Sequence, residues 1–487
     1  MSKSSKASLL VIFVTVFIDL LGFGIVLPLL PLYGEYFKPA GWQLGLLMAS
    51  FSAMQFIFAP IWGRISDRIG RRPVLIIGLA GSVVFYALFG YVSSVEREHL
   101  LLGLSPLAWL FITRIGQGIA GATISTAQAY IADVTGPTER ARGMALIGAA
   151  FGIGFTFGPL LGASFVGSQA GGPTALVQPE IAVEFGLTEA ERERVAQVLR
   201  DYHDKIASLG LAASQHVRDQ LRSDRNRKIL DGLTAEQRLH WSANLSKPPS
   251  GAPGYLASVL SALALLAAIF MLPESLRPDS AAAERHWLDM SSVRKAVGRP
   301  VIGLILLTMF ISILAFGQFE TSMSLLVREH FELSLRRVFY VFAYIGITLT
   351  ISQGVLVRRL VPRLGEFKMI FIGDLLIGLG MLLTAVATFR ESLTLLLWVV
   401  PLVVIGFSFM TPSLQSLLSR HTPASDQGGI LGLGQGISAL SRILGPMIAI
   451  TLFKTNATYP YWIGAGMMVI GLICALGLRG NPDTQAT

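Results

Sequence analysis

The sequence predicts an all-α membrane protein of twelve transmembrane helices in two pseudo-symmetric six-helix halves, and three observations carry that reading. The 487 residues are 52% hydrophobic and only 14% charged, whereas a soluble chain carries about 25% charged residues. Apolar runs of roughly 20 residues, the length that crosses a ~30 Å hydrocarbon core, fill most of the chain. The runs divide six and six around one polar stretch. Lipid offers backbone N–H and C=O groups no water partner, so each run must close its hydrogen bonds as a helix.

The spans read as 8–33, 42–62, 73–94, 107–131, 142–167, 254–273, 300–327, 337–357, 368–388, 394–418, 428–453 and 459–478. Lys3 and Lys6 precede the first run as in a signal peptide, but the run is too long for a signal core and lacks a small-residue cleavage pattern. It reads as a retained helix. With the N-terminus inside, nineteen Lys and Arg fall in inner segments and seven in short outer ones, which places both termini in the cytoplasm. The net charge of +9 follows from that asymmetry and needs no nucleic-acid partner. The single cysteine, Cys474, lies in an apolar run, so no intramolecular disulfide forms.

The organisation that follows is an N-terminal half at 1–167, an extracytoplasmic helical insert at 168–253, span six at 254–273, a cytoplasmic linker at 274–298 and a C-terminal half at 299–487. Lys+Arg and Asp+Glu balance at eleven each in the insert. Thr188-Glu-Ala-Glu191 and Thr234-Ala-Glu-Gln237 read as capping boxes. Val195, Val198, Leu199, Tyr202, Ile206 and Leu209 recur at helical spacing. The insert reads either as a structural cap, since long surface insertions cost little loop entropy, or as a binding module.

The strongest local pattern is Gly63-Arg-Ile-Ser-Asp-Arg-Ile-Gly-Arg-Arg-Pro73 between spans two and three. Gly63 and Gly70 bracket a tight turn, and Asp67, Arg68, Arg71 and Arg72 are placed at the inner surface, where they can pair with carboxylates or helix termini. Topogenic charge alone would explain the arginines, but not the glycines or the acid among them. Arg71 is expected to reach Asp133 at the inner end of span four. Gly154, Gly158 and Gly162 let helix backbones approach closely, and Pro159 bends the helix. Gly445-Pro446 in span eleven repeats Gly158-Pro159 in span five. The loop Gly354 to Lys368, with Arg358, Arg359, Arg363 and Gly365, echoes the first-half loop but reads as lacking its acidic residue. These are traces of an internal repeat.

The first loop resembles the signature of the major facilitator superfamily, of the form G-x-x-x-D-R-x-G-R-R. Asp19-Leu-Leu-Gly22 with Pro28 and Pro31 is similar to the first-helix pattern of drug/proton antiporters. Arg114-Ile-Gly-Gln117-Gly118 with Gly121 resembles the fourth-helix signature, and Gly154 to Gly162 the fifth-helix antiporter signature. Together they look closest to the twelve-span, tetracycline-resistance-like branch. That branch is expected to carry an acid in span three, where this chain reads Gly81-Ser-Val-Val-Phe85-Tyr86.

Ionisable residues within spans cost at least ~2.5–3.5 kcal/mol on insertion scales, so they are functional candidates by default. Asp19, Glu320 and Arg114 are the candidate proton-coupling residues. Burial raises a carboxyl pKa and a nearby arginine lowers it, so an acid whose arginine moves away between two states gains and loses a proton. Arg114 is therefore expected to approach Asp19. A static pair that fixes helix register is the bland alternative. Glu320 reads alternatively as a boundary residue, Asp374 as a helix-end group, and Arg442 as a partner for carbonyls or a carboxylate. The inner loop is expected to latch the halves together in the outward-open state, with Asp67 near the start of span eleven at Gln427-Gly428-Gly429.

No histidine or cysteine has metal-ligand spacing, and no phosphate-binding loop with lysine is present, so neither metal, cofactor nor ATP-driven transport is expected. The chain reads as a monomeric, non-enzymatic cell-membrane protein, of the inner membrane in a bacterium, whose partners are lipid, protons and a small-molecule substrate. Export of small amphipathic organic molecules in exchange for protons is the reading favoured. Proton-coupled uptake of a nutrient, or a non-transporting sensor with a binding insert, are the alternatives.

Overall fold

The computed structural model describes residues 3–135, 140–166, 170–209, 215–276, 300–422 and 427–479. The described chain is helical, with one isolated bridge between Leu101 and Leu104. The N-terminal half comprises α1 (Lys3–Val26), α2 (Leu30–Tyr36), α3 (Gly41–Ile69), α4 (Arg71–Ser93), α5 (Pro106–Gly121), α6 (Ile124–Val134), α7 (Arg140–Phe165) and α12 (Ala252–Met271). Between α7 and α12 lie α8 (Pro179–Glu184), α9 (Glu189–Leu209), α10 (Gln215–Asp231) and α11 (Ala235–Ser246), here called the module. The C-terminal half comprises α13 (Pro300–Leu325), α14 (Leu335–Ile351), α15 (Arg358–Phe389), α16 (Leu393–Arg420), α17 (Gln427–Thr455) and α18 (Tyr459–Arg479). π-Helical turns follow α13 at Leu326–His330 and α14 at Ser352–Val357.

Ten described segments are long and apolar enough to cross a bilayer. One of them, Leu335–Phe389, turns at Gly365 and makes two crossings, and Gly152–Phe165 is a further apolar stretch, within α7. That arrangement is consistent with twelve crossings. Span one is not continuous, as the reading of 8–33 had it: the chain breaks between Val26 and Leu30, around Pro28, because proline has no N–H to donate. Span four likewise divides at Ala122–Thr123 into α5 and α6. Of the linker 274–298, only the first three residues are described, so Arg277, Arg285, Arg294 and Lys295 lie outside the described residues.

Within the first half, α1 packs on α7 and α12, α12 on α4, and α5 on α3 and α4. The second half repeats this, with α13 on α17 and α18, α18 on α15, and α16 on α15 and α14. The halves meet along two seams, α7 with α14 and α3 with α17. In the first, Gly162 packs on Phe339 and Gly346 on Phe155, and Thr156 and Thr350 are hydrogen-bonded at 3.0 Å. In the second, a methyl group on Gly45 would stand 2.8 Å from Met447 Cα, and one on Gly41 would meet Lys454. These contacts run from the middle of the bundle to the end that carries the module. The other end carries the arginine-rich turn between α3 and α4 and is called the basic face.

The module has its own core of Ala175, Leu176, Ile181, Phe185, Val195, Ile229, Leu233 and Trp241. Both capping boxes form: Thr188 N–H donates to Glu191 Oε2 at 2.8 Å, and Thr234 N–H to Gln237 Oε1 at 2.9 Å. The apolar positions of α9 resolve as periodicity requires, with Val195, Tyr202 and Ile206 buried.

Candidate functional site

The turn on the basic face is built around an arginine and an acid that the motif does not contain. Gly70 sits at φ +104°, a conformation that favours glycine. Its chain reversal aims the first N–H groups of α4 at Glu274, just beyond α12. The Glu274 carboxylate accepts from Arg71 N at 2.9 Å and Arg72 N at 3.1 Å, and so caps the helix. A Cβ at Gly70 would collide with that carboxylate. Arg71 is the hub: its guanidinium pairs with Asp67 at 2.5 Å and Asp133 at 3.1 Å, and donates to Ser66 Oγ at 2.7 Å. Arg72 donates to the Ile269 carbonyl at 2.6 Å. Arg68 is exposed, and a methyl on Gly63 would meet nothing within 4 Å.

The structure therefore brings Arg71, Asp67 and Asp133 together inside one half. Asp67 is on Arg71, and the side chains of Gln427–Gly429 are outside the description. In the second half, Gly365 at φ +77° takes the place of Gly70. The reading that this loop lacks an acid is corrected: Glu366 follows Gly365 directly and pairs with Arg420 at 3.1 Å.

Deeper in the bundle, Asp19 of α1 accepts from Ser261 Oγ of α12 at 3.2 Å and also faces Ser82 of α4. Arg114 of α5 is 2% exposed. It donates to Gln117 Oε1 at 2.6 Å and lies over the Phe51 ring, 4.5 Å from its centroid, while its Nε has no partner among the described residues. The expected approach of Arg114 to Asp19 is absent. α1 packs on α7 and α12 while α5 packs on α3 and α4, and Tyr86 of α4 lies within electrostatic reach of both charges. Two serines rather than a guanidinium surround Asp19.

In the second half, Glu320 of α13 and Arg442 of α17 are within electrostatic reach of each other without a direct ion pair. Asp374 of α15, expected near the inner end of its span, is buried within the bundle. It is 0% exposed, accepts from Ser312 Oγ of α13 at 2.9 Å, and its Oδ2 has no partner among the described residues. The glycine motif divides its work. In α7, Gly158 crosses Gly24 of α1 and Gly154 meets Leu20, both within the first half, whereas Gly162 faces Phe339 of the second. Gly445 crosses Gly317 in the same way, and Pro159 and Pro446 lie inside α7 and α17.

Sequence reasoning missed the aromatic cluster beside these charges. Phe23 stacks on Phe51 with centroids 5.0 Å apart and meets Phe155 edge-on at 5.8 Å. Phe51 lies under Arg114, and Phe155 touches Gly346 of the other half. The three rings belong to three helices, so no local pattern marks them.

Two related helical halves joined along seams near one face, with acids and aromatics between their helices, define a membrane transporter. The sequence profile of the Major Facilitator Superfamily matches residues 12–177 and 250–446. The chain belongs to that superfamily, and the match leaves out most of the module. The class C tetracycline resistance protein of Escherichia coli is 27% identical over 494 residues, covering 100% of this chain and 99% of that one. Multidrug resistance protein 2 of Bacillus subtilis is 24% identical over 480 residues, covering 96% and 94%. Among solved structures, the human organic anion transporter MFSD10 superposes with a TM-score of 0.61 at 22% identity, covering 98% of this chain and 100% of that one.

Proposed function

We propose that the protein exports small amphipathic organic molecules in exchange for protons, by alternating access between its two halves. The observation that carries this reading is Asp19, a membrane acid that meets two hydroxyls and, among the described residues, no cation. Such a group can load and release a proton without first breaking an ion pair. Beside it, the Phe23–Phe51–Phe155 cluster offers an apolar surface next to the Arg114 charge, the mixed chemistry that an amphipathic substrate needs. Drug-resistance relatives favour export over uptake.

In this reading the basic face is cytoplasmic, both termini lie there, and the structure is the state closed at the module face. Protonation of Asp19 from the module side and substrate loading from the basic side alternate as the seams open and close. Glu320 with Arg442 forms a second coupling element in the other half, and the protein acts as a monomer in the cell membrane. Purified protein in proteoliposomes, with and without an imposed pH gradient, tests this. Substrate accumulation should require the gradient, with Asp19→Asn removing that dependence while substrate counterflow survives. Gradient-independent transport by the unaltered protein would sink the proton-exchange reading.

A further inference from the structure

The module is covalently part of the N-terminal half, yet its best contacts are with the other half. Helix α10 carries Arg218, Arg222 and Arg225, spaced so that all three project from one face. Arg218 donates to the Phe389 carbonyl at 2.9 Å and stacks on that ring at 3.7 Å. Arg222 pairs with Glu391 at 2.6 Å, and Arg225 pairs with Glu332 at 2.5 Å. Both side chains of the last pair are nearly inaccessible, at 5% and 6%. Tyr202 of α9 completes the Glu391 site, donating its hydroxyl at 2.7 Å. Thr174 N–H and Oγ1 donate to the second Glu332 oxygen at 3.0 and 2.8 Å. At the margin, Glu180 pairs with Arg337 at 2.9 Å.

The two acceptors share an unusual backbone. Glu332 and Glu391 both have φ of +51°, in the turns that follow α13 and α15. A non-glycine residue in that region is strained, and here both carboxylates are held toward the module. The tethers are short. Only five positions separate Val166, at the end of α7, from Gly171, which already packs on the Glu332–Leu333 backbone. On the return strand, the Ser250 carbonyl accepts from Tyr33 of α2 at 2.6 Å. The module thus bridges from the ends of α7 and α12 to the turns flanking α14 and α15, across the seam where Gly162 meets Phe339.

We infer that the module is a clamp that holds the two halves together at its face, so that opening there requires Arg225 to leave Glu332 and Arg222 to leave Glu391. The inference rests on the alternating-access reading above. It makes the module part of the transport cycle: its grip sets the balance between the two access states, and a change that loosens it favours the state open at the module face.

Spin labels on Glu98→Cys and Thr455→Cys, exposed positions of opposite halves at this face, report the opening by their separation in a Cys474→Ser background. In Glu332→Gln, the ratio of long- to short-distance populations should rise roughly tenfold, within the usual range of site-to-site coupling. The swapped pair Arg225→Glu with Glu332→Arg should restore the short distance. An unchanged distribution in Glu332→Gln overturns the clamp. A second arm does not depend on weakening the fold. Thr174→Cys and Glu332→Cys, joined by a short reducible crosslinker, should stop exchange in proteoliposomes, and reduction should restore it. Undiminished exchange in the crosslinked protein would show that the module rides with the C-terminal half and clamps nothing. Failure of the unaltered protein to exchange at all would instead count against the transport reading, and the spin-label arm would still decide the clamp.

Discussion

Ser312 stands in the C-terminal half where Asp19 stands in the N-terminal half. Asp19 precedes Gly24 by five residues and Ser312 precedes Gly317 by five, and those glycines make matching crossings with Gly158 and Gly445. Around each, three related helices contribute. α1, α4 and α12 bring Asp19, Ser82 and Ser261 together. α13, α15 and α18 bring Ser312, Asp374 and Gly471 together. Each half therefore keeps one acid and its hydroxyl partner in the same helix triad, with the acid moved from the first helix of the triad, α1, to the second, α15.

That equivalence predicts a shared requirement. Asp19→Asn and Asp374→Asn should each lower pH-driven transport, on the order of tenfold or more, because each removes the titratable group of its triad. Substrate counterflow without a gradient should persist in both. Wild-type pH-driven rates in Asp374→Asn would leave that residue a purely structural acid.

Gly346 and Gly158 both sit against a neighbouring backbone, but in different places. Gly346 of α14 meets the Phe155 carbonyl across the seam, whereas Gly158 of α7 meets Gly24 inside one half. A leucine at either overpacks its site by roughly 1–3 kcal/mol. Gly346→Leu should spend that cost on the closed state alone and shift the Glu98–Thr455 label pair toward longer distance. Gly158→Leu should lower thermal stability without moving the distribution. A shift in Gly158→Leu equal to that in Gly346→Leu would remove the distinction.

How far the sequence reaches depends on how local each feature is. Span existence follows from run length, and the turn at Gly70 from adjacent glycines and charges, so both are legible. The caps Thr188–Glu191 and Thr234–Gln237 join residues only three positions apart and read as directly. The arginine row of α10 does not, because a helix polar on every side looks solvated until its partners are known. Those partners, Glu332 and Glu391, lie 107 and 169 positions away. Charge and depth pair Asp19 with Arg114, but helix adjacency is a tertiary property: α1 packs on α7 and α12 while α5 packs on α3 and α4. Nothing local marks Glu274 as a cap, because the N–H groups it closes lie more than 200 positions earlier.

Glu274 gives the next expectation. Its carboxylate closes the N-terminus of α4, and loss of a helix cap costs ~0.5–2 kcal/mol. Glu274→Ala should lower thermal stability by that order and free Arg71 and Arg72 to exchange their amide protons faster. Unaltered exchange at both amides would show that another group caps the helix.

Asp67 is half-exposed, with a side chain 47% accessible, and its one partner among the described residues is Arg71 four residues on. A partner this open can be exchanged at little cost. In the opposite state, closed at the basic face, Asp67 is expected to turn to the start of α17 and latch the halves. Asp67→Asn should slow transport several-fold, a loss of order 1 kcal/mol at a helix N-terminus, and leave substrate affinity unchanged. Cysteines near Asp67 and Gly428 should then crosslink only when the protein is driven into that state. Equal crosslinking in both states, or none, would exclude the latch.

The clamp should also have a defined pH response. Burial alone would push the Glu391 carboxyl up, but Arg222, His330 and the Tyr202 hydroxyl outweigh it and hold the group below its ordinary value of 4.5. Arg225 also lies against the Tyr202 ring. A carboxyl lower in the docked form than in the free form supports docking while it is ionised. Its contribution is full above about pH 4.5 and is lost as the pH falls through the docked value. The label pair should therefore keep its short distance from about pH 8 to about pH 5 and lengthen only below about pH 4.5. A His330→Gln background removes the neighbouring imidazole from the titration. In that background, lengthening already between about pH 8 and pH 6 would mean that Glu391 does not hold the clamp through its charge.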